Sequence, residues 1–301
     1  MVGPTAAGKS QVAEVAAERF GASILSVDSM QVYRGMDIGT AKPDAAARRR
    51  VRYRMIDVLE PSAAMTVRWF QEVGREALEE ELERHGRVII CGGSGLHFRA
   101  IVDPMTFAPT DRELRATLEQ EPHEVLRERL EAADPHCGFV VDMDNPRRVI
   151  RALEILELSG LTPSERARSP EARALAEYRA SFPFIGIGMD AGAAGAHRIE
   201  ERFKMMLDQG FVDEVRSLAD EFGRTASQAL GYRELLAHVR GEASLDEAVA
   251  DATTATRAFA KRQRTFFGRD PRIAWQPWQD DDRRRLAAAV DEIGERARWS
   301  S

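Results

Sequence analysis

Short apolar runs separated by helical patterns fill the first third of the chain and return near residue 184. Residues 23–27, 88–91 and 184–189 are apolar enough to be buried on both faces, and residues 55–59 form a weaker run of the same kind. Between them, Val12, Val15, Ala16 and Phe20 recur at helical spacing before Gly21, and residues 67–83 carry a longer amphipathic pattern. Strands alternating with helices predict a parallel sheet covered by helices on both faces, an α/β fold.

From about residue 110 the strands give out. Thr110-x-x-Glu113 reads as a capping box, a second helix spans 123–133, and Asn145-Pro146 opens a third that Gly160 closes. Residues 111–179 are therefore expected to form a mostly helical insertion in a discontinuous core made of 1–110 and 180–280. Beyond the run at 184, one helix is expected to carry Ile199, Phe203, Met206, Leu207, Phe211, Val215, Leu218 and Phe222 on its buried side. Ser244-x-x-Glu247 opens another that reaches Phe267, and 281–301 reads as a charged tail with little functional signal.

Composition narrows the class. With 301 residues and 44% hydrophobic content the chain can bury a sizeable core, and no apolar stretch could span a membrane. Cys91 and Cys137 lie far apart without metal-ligand spacing, so neither zinc nor a disulfide framework is implied and a cytoplasmic protein is expected. The net charge of -6 argues against a protein that coats nucleic acid indiscriminately, so any RNA site must be a local basic patch.

The strongest chemical signal is Gly3-Pro4-Thr5-Ala6-Ala7-Gly8-Lys9-Ser10, the G-x-x-x-x-G-K-[ST] phosphate-binding loop. Its glycines let backbone N–H groups turn onto an anion, Lys9 adds a charge, and Ser10 offers a hydroxyl to Mg²⁺. Together with the alternating pattern this predicts a P-loop NTPase-like core. Such a loop hangs from a central strand, yet only Met1 and Val2 precede it, so the strand is a stub or the recorded start lies downstream of the true one. Asp28 follows the run at 23–27, at the sheet edge where open α/β folds bind ligands. There it can hold Mg²⁺, accept a proton from an attacking group, or simply cap a turn.

The loop followed by Ser26-Val27-Asp28-Ser29-Met30-Gln31-Val32-Tyr33-Arg34-Gly35-Met36-Asp37-Ile38-Gly39-Thr40-Ala41-Lys42-Pro43 resembles the tRNA dimethylallyltransferase family. Cys91-Gly92-Gly93-Ser94-Gly95-Leu96, the stretch from Asn145 to Glu154, Ala229-Leu230-Gly231-Tyr232-Arg233-Glu234, and Ala255 through Gln263 agree in the family's order. The resemblance implies a loop (Gly3 to Ser10) that holds the diphosphate of dimethylallyl diphosphate with Mg²⁺. It also implies Asp28 as catalytic carboxylate, and Thr5 and Ser94 beside the prenyl donor and the adenine. The implied acceptor is the exocyclic amine of the adenosine 3′ of the anticodon, at position 37 of tRNA. A base stacked in that loop must be drawn into a pocket.

By the same resemblance, Asp28, Ser29, Met30, Gln31, Arg115, Arg147, Arg148, Arg151, Gln228, Gly231, Tyr232 and Arg233 should face RNA. Arg257, Lys261 and Arg264 share one helical face and read either as a phosphate-tracking stripe or as a solvated surface. The run Arg48, Arg49, Arg50, Arg52 and Arg54 reads as plain surface. Two departures stand out: Tyr53-Arg54 replaces the family's usual histidine pair, and the insertion is shorter than usual between Leu118 and Val125. Two cysteines cannot supply the zinc finger of eukaryotic relatives, which points to the bacterial form, and nothing demands more than a monomer. Other readings are a P-loop small-molecule kinase, an adenylate isopentenyltransferase, or an RNA-binding module without catalysis. The strand at 88–91 ends in Gly92-Gly93 and not in a Mg²⁺-binding Asp, which disfavours the kinase.

Overall fold

The computed structural model describes residues 1–300. Five short strands form the framework: β1 (Ser23–Ser26), β2 (Tyr53–Arg54), β3 (Val88–Cys91), β4 (Gly186–Met189) and β5 (Ile273–Gln276). All pair in parallel, in a sheet of order β2-β1-β3 and a second of β4-β5. The stub before the phosphate loop joins them, because Val2 bridges Gly92 on one side and Gly188 on the other. Val2 N–H donates to Ile187 at 2.9 Å, its carbonyl accepts from Met189 at 2.9 Å, and Met1 O accepts from Gly92 N at 3.1 Å. Met1 and Val2 thus fill the central strand position from which the loop hangs. The α/β class with a helix-flanked parallel sheet is as the pattern predicts.

Helices α1 (Lys9–Phe20), α2 (Ala45–Arg50), α3 (Val67–His85) and α4 (Gly95–Val102) accompany the first strands. The insertion comprises α5 (Arg112–Leu118), α6 (His123–Ala133), α7 (Pro146–Ser159), α8 (Pro163–Ala167) and α9 (Pro170–Ala176). The chain then adds α10 (Gly195–Asp208), α11 (Phe211–Leu218), α12 (Tyr232–Val239), α13 (Leu245–Phe267) and α14 (Asp282–Ala297). Two compact units result: Met1–Val102 with the chain from Pro183 onward, and Asp103–Phe182.

In the first unit, Val12, Ala13, Ala16, Ala17 and Phe20 of α1 meet Ala289, Val290 and Ile293 of α14 in one core cluster. Burying Phe20 alone contributes about 2–3 kcal/mol. The charged tail expected at 281–301 thus forms a helix that is part of this core. At its start Arg285 is 4% exposed and lies 4.0 Å over the Trp278 ring.

The insertion has its own core of Leu118, Leu126, Leu130, Cys137, Val149 and Leu153. Beside it, Glu154 is fully buried and accepts from Arg115 and Arg151 at 2.6 Å each and from Asp111 N at 2.9 Å. Burial alone would push the Glu154 carboxyl up, but hydrogen bonds from Arg115 and then Arg151 outweigh it and hold the group below the usual carboxylate range.

Three local expectations are corrected, and one strand is added that the sequence pattern did not predict. Residues 55–59 are not a strand: Met55 and Asp57 have φ of 62° and 57°, pairing with β1 ends at Arg54, and beyond it Leu59 makes only an isolated bridge to Tyr33. Asp57 instead turns its carboxylate to Lys42 (2.6 Å) and Arg48 (2.5 Å). The cap of α5 is Asp111, which accepts from Glu113 N and Leu114 N, and not Thr110. The long helix expected after residue 199 breaks at Gly210 (φ 96°) into α10 and α11. Finally, β5 carries only a brief apolar signal and gains its partner, β4, from far along the chain.

Candidate active site

The loops at the carboxyl ends of the central strands converge. Gly3 (φ 134°) leads out of Val2, and a side chain there would run into the Met189 carbonyl, so only glycine lets the loop pass. Gly8 (φ 84°) precedes the first turn of α1. Among the described residues none accepts from the backbone N–H of Ala7, Gly8, Lys9 or Ser10. Those donors form an anion cradle at a helix N-terminus.

Lys9 is 8% exposed, its Nζ donates to Pro4 O at 2.5 Å, and among the described residues it has no ion pair. Burial pulls its pKa down to about 8, with nearby Arg202 acting in the same sense and Asp28 against it. A cation held dry without a counter-charge is ready for an anionic ligand.

Asp28 leaves the end of β1, and its Oδ1 accepts from Met30 N at 2.8 Å. One oxygen thus fixes the turn, as the turn-capping reading expects, and among the described residues no hydrogen bond engages the other. Gln31 braces the same turn, accepting from Ser26 Oγ at 2.8 Å and donating to Thr40 O at 3.1 Å. Ser94 follows β3; its amide donates to Val27 O at 3.3 Å, and its Oγ lies 2.6 Å from His97 Nδ1. Thr5, Asp28, Ser29, Met30, Ser94, Gln228, Tyr232 and Arg233 line one cavity of about 390 Å³, whose apolar wall includes Ile199, Phe203, Met206 and Phe259. A smaller cavity of about 120 Å³ joins Thr5, Lys9 and Ser10 to Asp28 and Gln31.

Three residues outside the sequence expectations complete the site. Arg202 NH1 donates to Thr5 Oγ1 at 3.2 Å and has no ion pair among the described residues; burial lowers its pKa, with Asp28 opposing. Arg198 Nε donates to Ala6 O at 2.9 Å. Gln263, 6% exposed, accepts from Thr5 N at 2.8 Å and donates to Gly93 O at 2.8 Å, so α13 ties the phosphate loop to the loop after β3. The signal for Arg202 was a cation among Ile199, Phe203 and Met206 on the buried face of α10. Gln263 closes a segment that resembles the family, but its role was not legible there, because its partners lie 258 and 170 residues away.

The residues expected to face RNA fall into different settings. Tyr232 is a core residue, not a surface one: it is fully buried, and its hydroxyl donates to Glu214 at 2.6 Å. Burial, then the Glu214 charge, push its pKa up. Glu214 also accepts from the amides of Asp37, Ile38 and Gly39, which pins the loop carrying Thr40. Gly231 is buried, whereas Gln228 and Arg233 are exposed, the latter paired with Glu234.

Arg115 and Arg151 are bound to Glu154. Arg147 is exposed without an ion pair, and Arg148 lies 3.8 Å from Asp142. The α13 stripe is largely neutralised: Arg257 pairs with Glu200 and Arg264 with Asp190 (2.5 Å), which leaves Lys261. Four of the five arginines in the run from Arg48 are likewise taken up, Arg48 by Asp57, Arg50 by Glu18, Arg52 by Glu81 and Arg54 by Glu80. At the position of the family's histidine pair, Tyr53 and Arg54 form β2, and Arg54 reaches Glu80 at 2.7 Å and Glu81 at 2.8 Å.

Residues 31–270 match the model of the IPP transferase family. The chain is 43% identical to the tRNA dimethylallyltransferase of Parafrankia sp. (strain EAN1pec), over 97% of this chain and 90% of that protein. It is 39% identical to that of Streptomyces coelicolor, over 98% and 95%. Among solved structures, a tRNA isopentenylpyrophosphate transferase from Bacillus halodurans superposes with a TM-score of 0.67 at 31% identity, covering 99% of this chain and 97% of that one. A eukaryotic dimethylallyltransferase acting on tRNA shares the fold, with a TM-score of 0.78 at 22% identity, over 98% of this chain and 78% of that one. The chain belongs to the IPP transferase family.

Proposed function

We propose that this site moves a dimethylallyl group from dimethylallyl diphosphate to the N6 amine of an adenosine in tRNA, position 37 beside the anticodon, and releases diphosphate. One observation carries the reading: a carboxylate with a free oxygen, Asp28, shares a cavity with Lys9 and the phosphate loop. In the transfer, the prenyl carbon–oxygen bond breaks with its electrons leaving on diphosphate, and the new carbon–nitrogen bond forms at N6. Asp28 accepts the proton that the amine sheds. The charge that develops on diphosphate is met by the loop amides, Lys9 and Arg202. The apolar wall of Ile199, Phe203 and Met206 suits a hydrocarbon group.

Mg²⁺ fits this arrangement. Among the described residues no group of three or more His, Cys, Asp or Glu could hold a metal by itself. Mg²⁺ bound to phosphate oxygens and water needs only one or two protein ligands, and the Ser10 hydroxyl and Asp28 line the same small cavity. The ion would add positive charge at the diphosphate. No helix among the described residues is long and apolar enough to cross a membrane. That agrees with action on tRNA in the cytoplasm, and a single chain contains every group named.

The test offers purified protein labelled dimethylallyl diphosphate, Mg²⁺ and an anticodon stem-loop with adenosine 3′ of the anticodon. Parallel reactions offer free AMP as acceptor and ATP as donor. Label on the stem-loop alone is expected; label on AMP alone would make the enzyme an adenylate isopentenyltransferase. Phosphate release from ATP without prenyl transfer would make it a kinase.

A further inference from the structure

His97 is 8% exposed and packs edge-on against Phe70, with ring centroids 4.6 Å apart. Its Nδ1 lies 2.6 Å from Ser94 Oγ, whereas its Nε2 is buried without any hydrogen-bond partner. These facts select a tautomer. A neutral imidazole carries its proton on one nitrogen, and the other then only accepts. A proton on Nε2 would bury an N–H with no acceptor, a defect that folded proteins rarely contain. A proton on Nδ1 leaves only a lone pair unmatched. Charging both nitrogens is opposed by burial, which pulls the pKa to about 4 against the attraction of Asp28.

We propose that His97 is a positioning residue: its Nδ1–H donates to Ser94 Oγ and so turns the serine's own proton into the substrate cavity. Ser94 is the residue before α4, where a serine hydroxyl ordinarily accepts from the first helical turn; here its Oγ meets His97 instead. The site then faces the reacting groups with a matched pair. The free oxygen of Asp28 only accepts, and the hydroxyl of Ser94 is set to donate. With the other tautomer, Ser94 would present lone pairs beside a carboxylate and offer the leaving group nothing. The catalytic consequence rests on the prenyl transfer proposed above; the tautomer itself does not.

Nitrogen-15 NMR of the full chain labelled at histidine, at pH 7.5, reads the tautomer directly, with His97→Asn identifying the signal among the six histidines. The expected result is the Nδ1–H form; an Nε2–H or doubly protonated ring would overturn the proposal. In the stem-loop assay, His97→Phe keeps the ring against Phe70 and removes the donor. Its turnover should fall about tenfold, with KM for both substrates nearly unchanged. His97→Asn places an amide donor near the Nδ1 position and should recover most of that loss. Wild-type turnover in His97→Phe, or equal loss in both variants, would overturn the role. Failure of the wild-type protein to transfer label would sink the reaction and leave the NMR result to decide His97 alone.

Discussion

Cations around the phosphate loop and cations elsewhere on the chain look alike in sequence and differ in what neutralises them. Lys9 is buried and Arg202 half-buried, and both bond only neutral oxygens, of Pro4 and Thr5. Arg115 and Arg151 close on Glu154, Arg257 on Glu200 and Arg264 on Asp190. Desolvating an unpaired cation opposes folding, so it persists where a ligand's anion completes it. A paired cation instead contributes to the architecture. Density of positive residues is thus a poor guide to a phosphate site, and a cation that is both withdrawn from water and unpaired is a better one.

The comparison can be broken in several places. Asp28→Ala leaves the cations intact and removes the proposed proton acceptor together with its hydrogen bond to Met30 N. Single-turnover transfer should slow by about 10²–10⁴-fold with donor affinity nearly unchanged; a wild-type rate would take Asp28 out of the chemistry. Lys9→Ala should lower kcat/KM for the diphosphate donor by about 10²–10³-fold, while the melting temperature holds or rises, since no ion pair is lost. A lower melting temperature with normal donor use would reverse the argument.

Arg115→Gln is the mirror case. It strips a partner from buried Glu154, so thermal melting should drop while donor affinity is unaffected. If RNA affinity fell and melting did not, Arg115 would rejoin the RNA-facing set.

Diphosphate affinity should also depend on pH. Bound diphosphate favours charged Lys9 and raises its pKa above the free-enzyme value of about 8. Above that pH the free enzyme has lost a proton that the complex holds, so affinity should fall, by up to about tenfold per pH unit. Calorimetry from pH 7 to 9.5 checks this, and a flat profile would show that Lys9 is not the titrating partner.

The smallest effect belongs to the α13 stripe. Arg264→Gln should change stem-loop affinity less than about threefold. Unpaired Lys261→Ala should reduce the salt slope by about one. Equal slopes for the two variants would mean that pairing with Asp190 does not matter.

The sequence by itself determined the local chemistry. The phosphate loop is legible because each residue type answers a need within eight positions: glycines for the turn, Lys9 for charge, a helix directly after. The strands 23–26 and 88–91 were legible as short runs rich in β-branched and apolar residues, although only the first is buried at every position, the second alternating half-buried with buried. The class of enzyme followed from motifs in order. Tertiary structure decided what depends on residues distant in the chain. It seated Met1 and Val2 between β3 and β4, supplied Gln263 and Arg202 to the loop, made Tyr232 a core residue, and neutralised most of the basic stripe. The reason is physical. Backbone conformation and anion cradling are fixed by neighbours in sequence. Whether a charge is free or paired, and whether a hydroxyl donates or accepts, depends on which groups the fold brings within three ångströms or so of it.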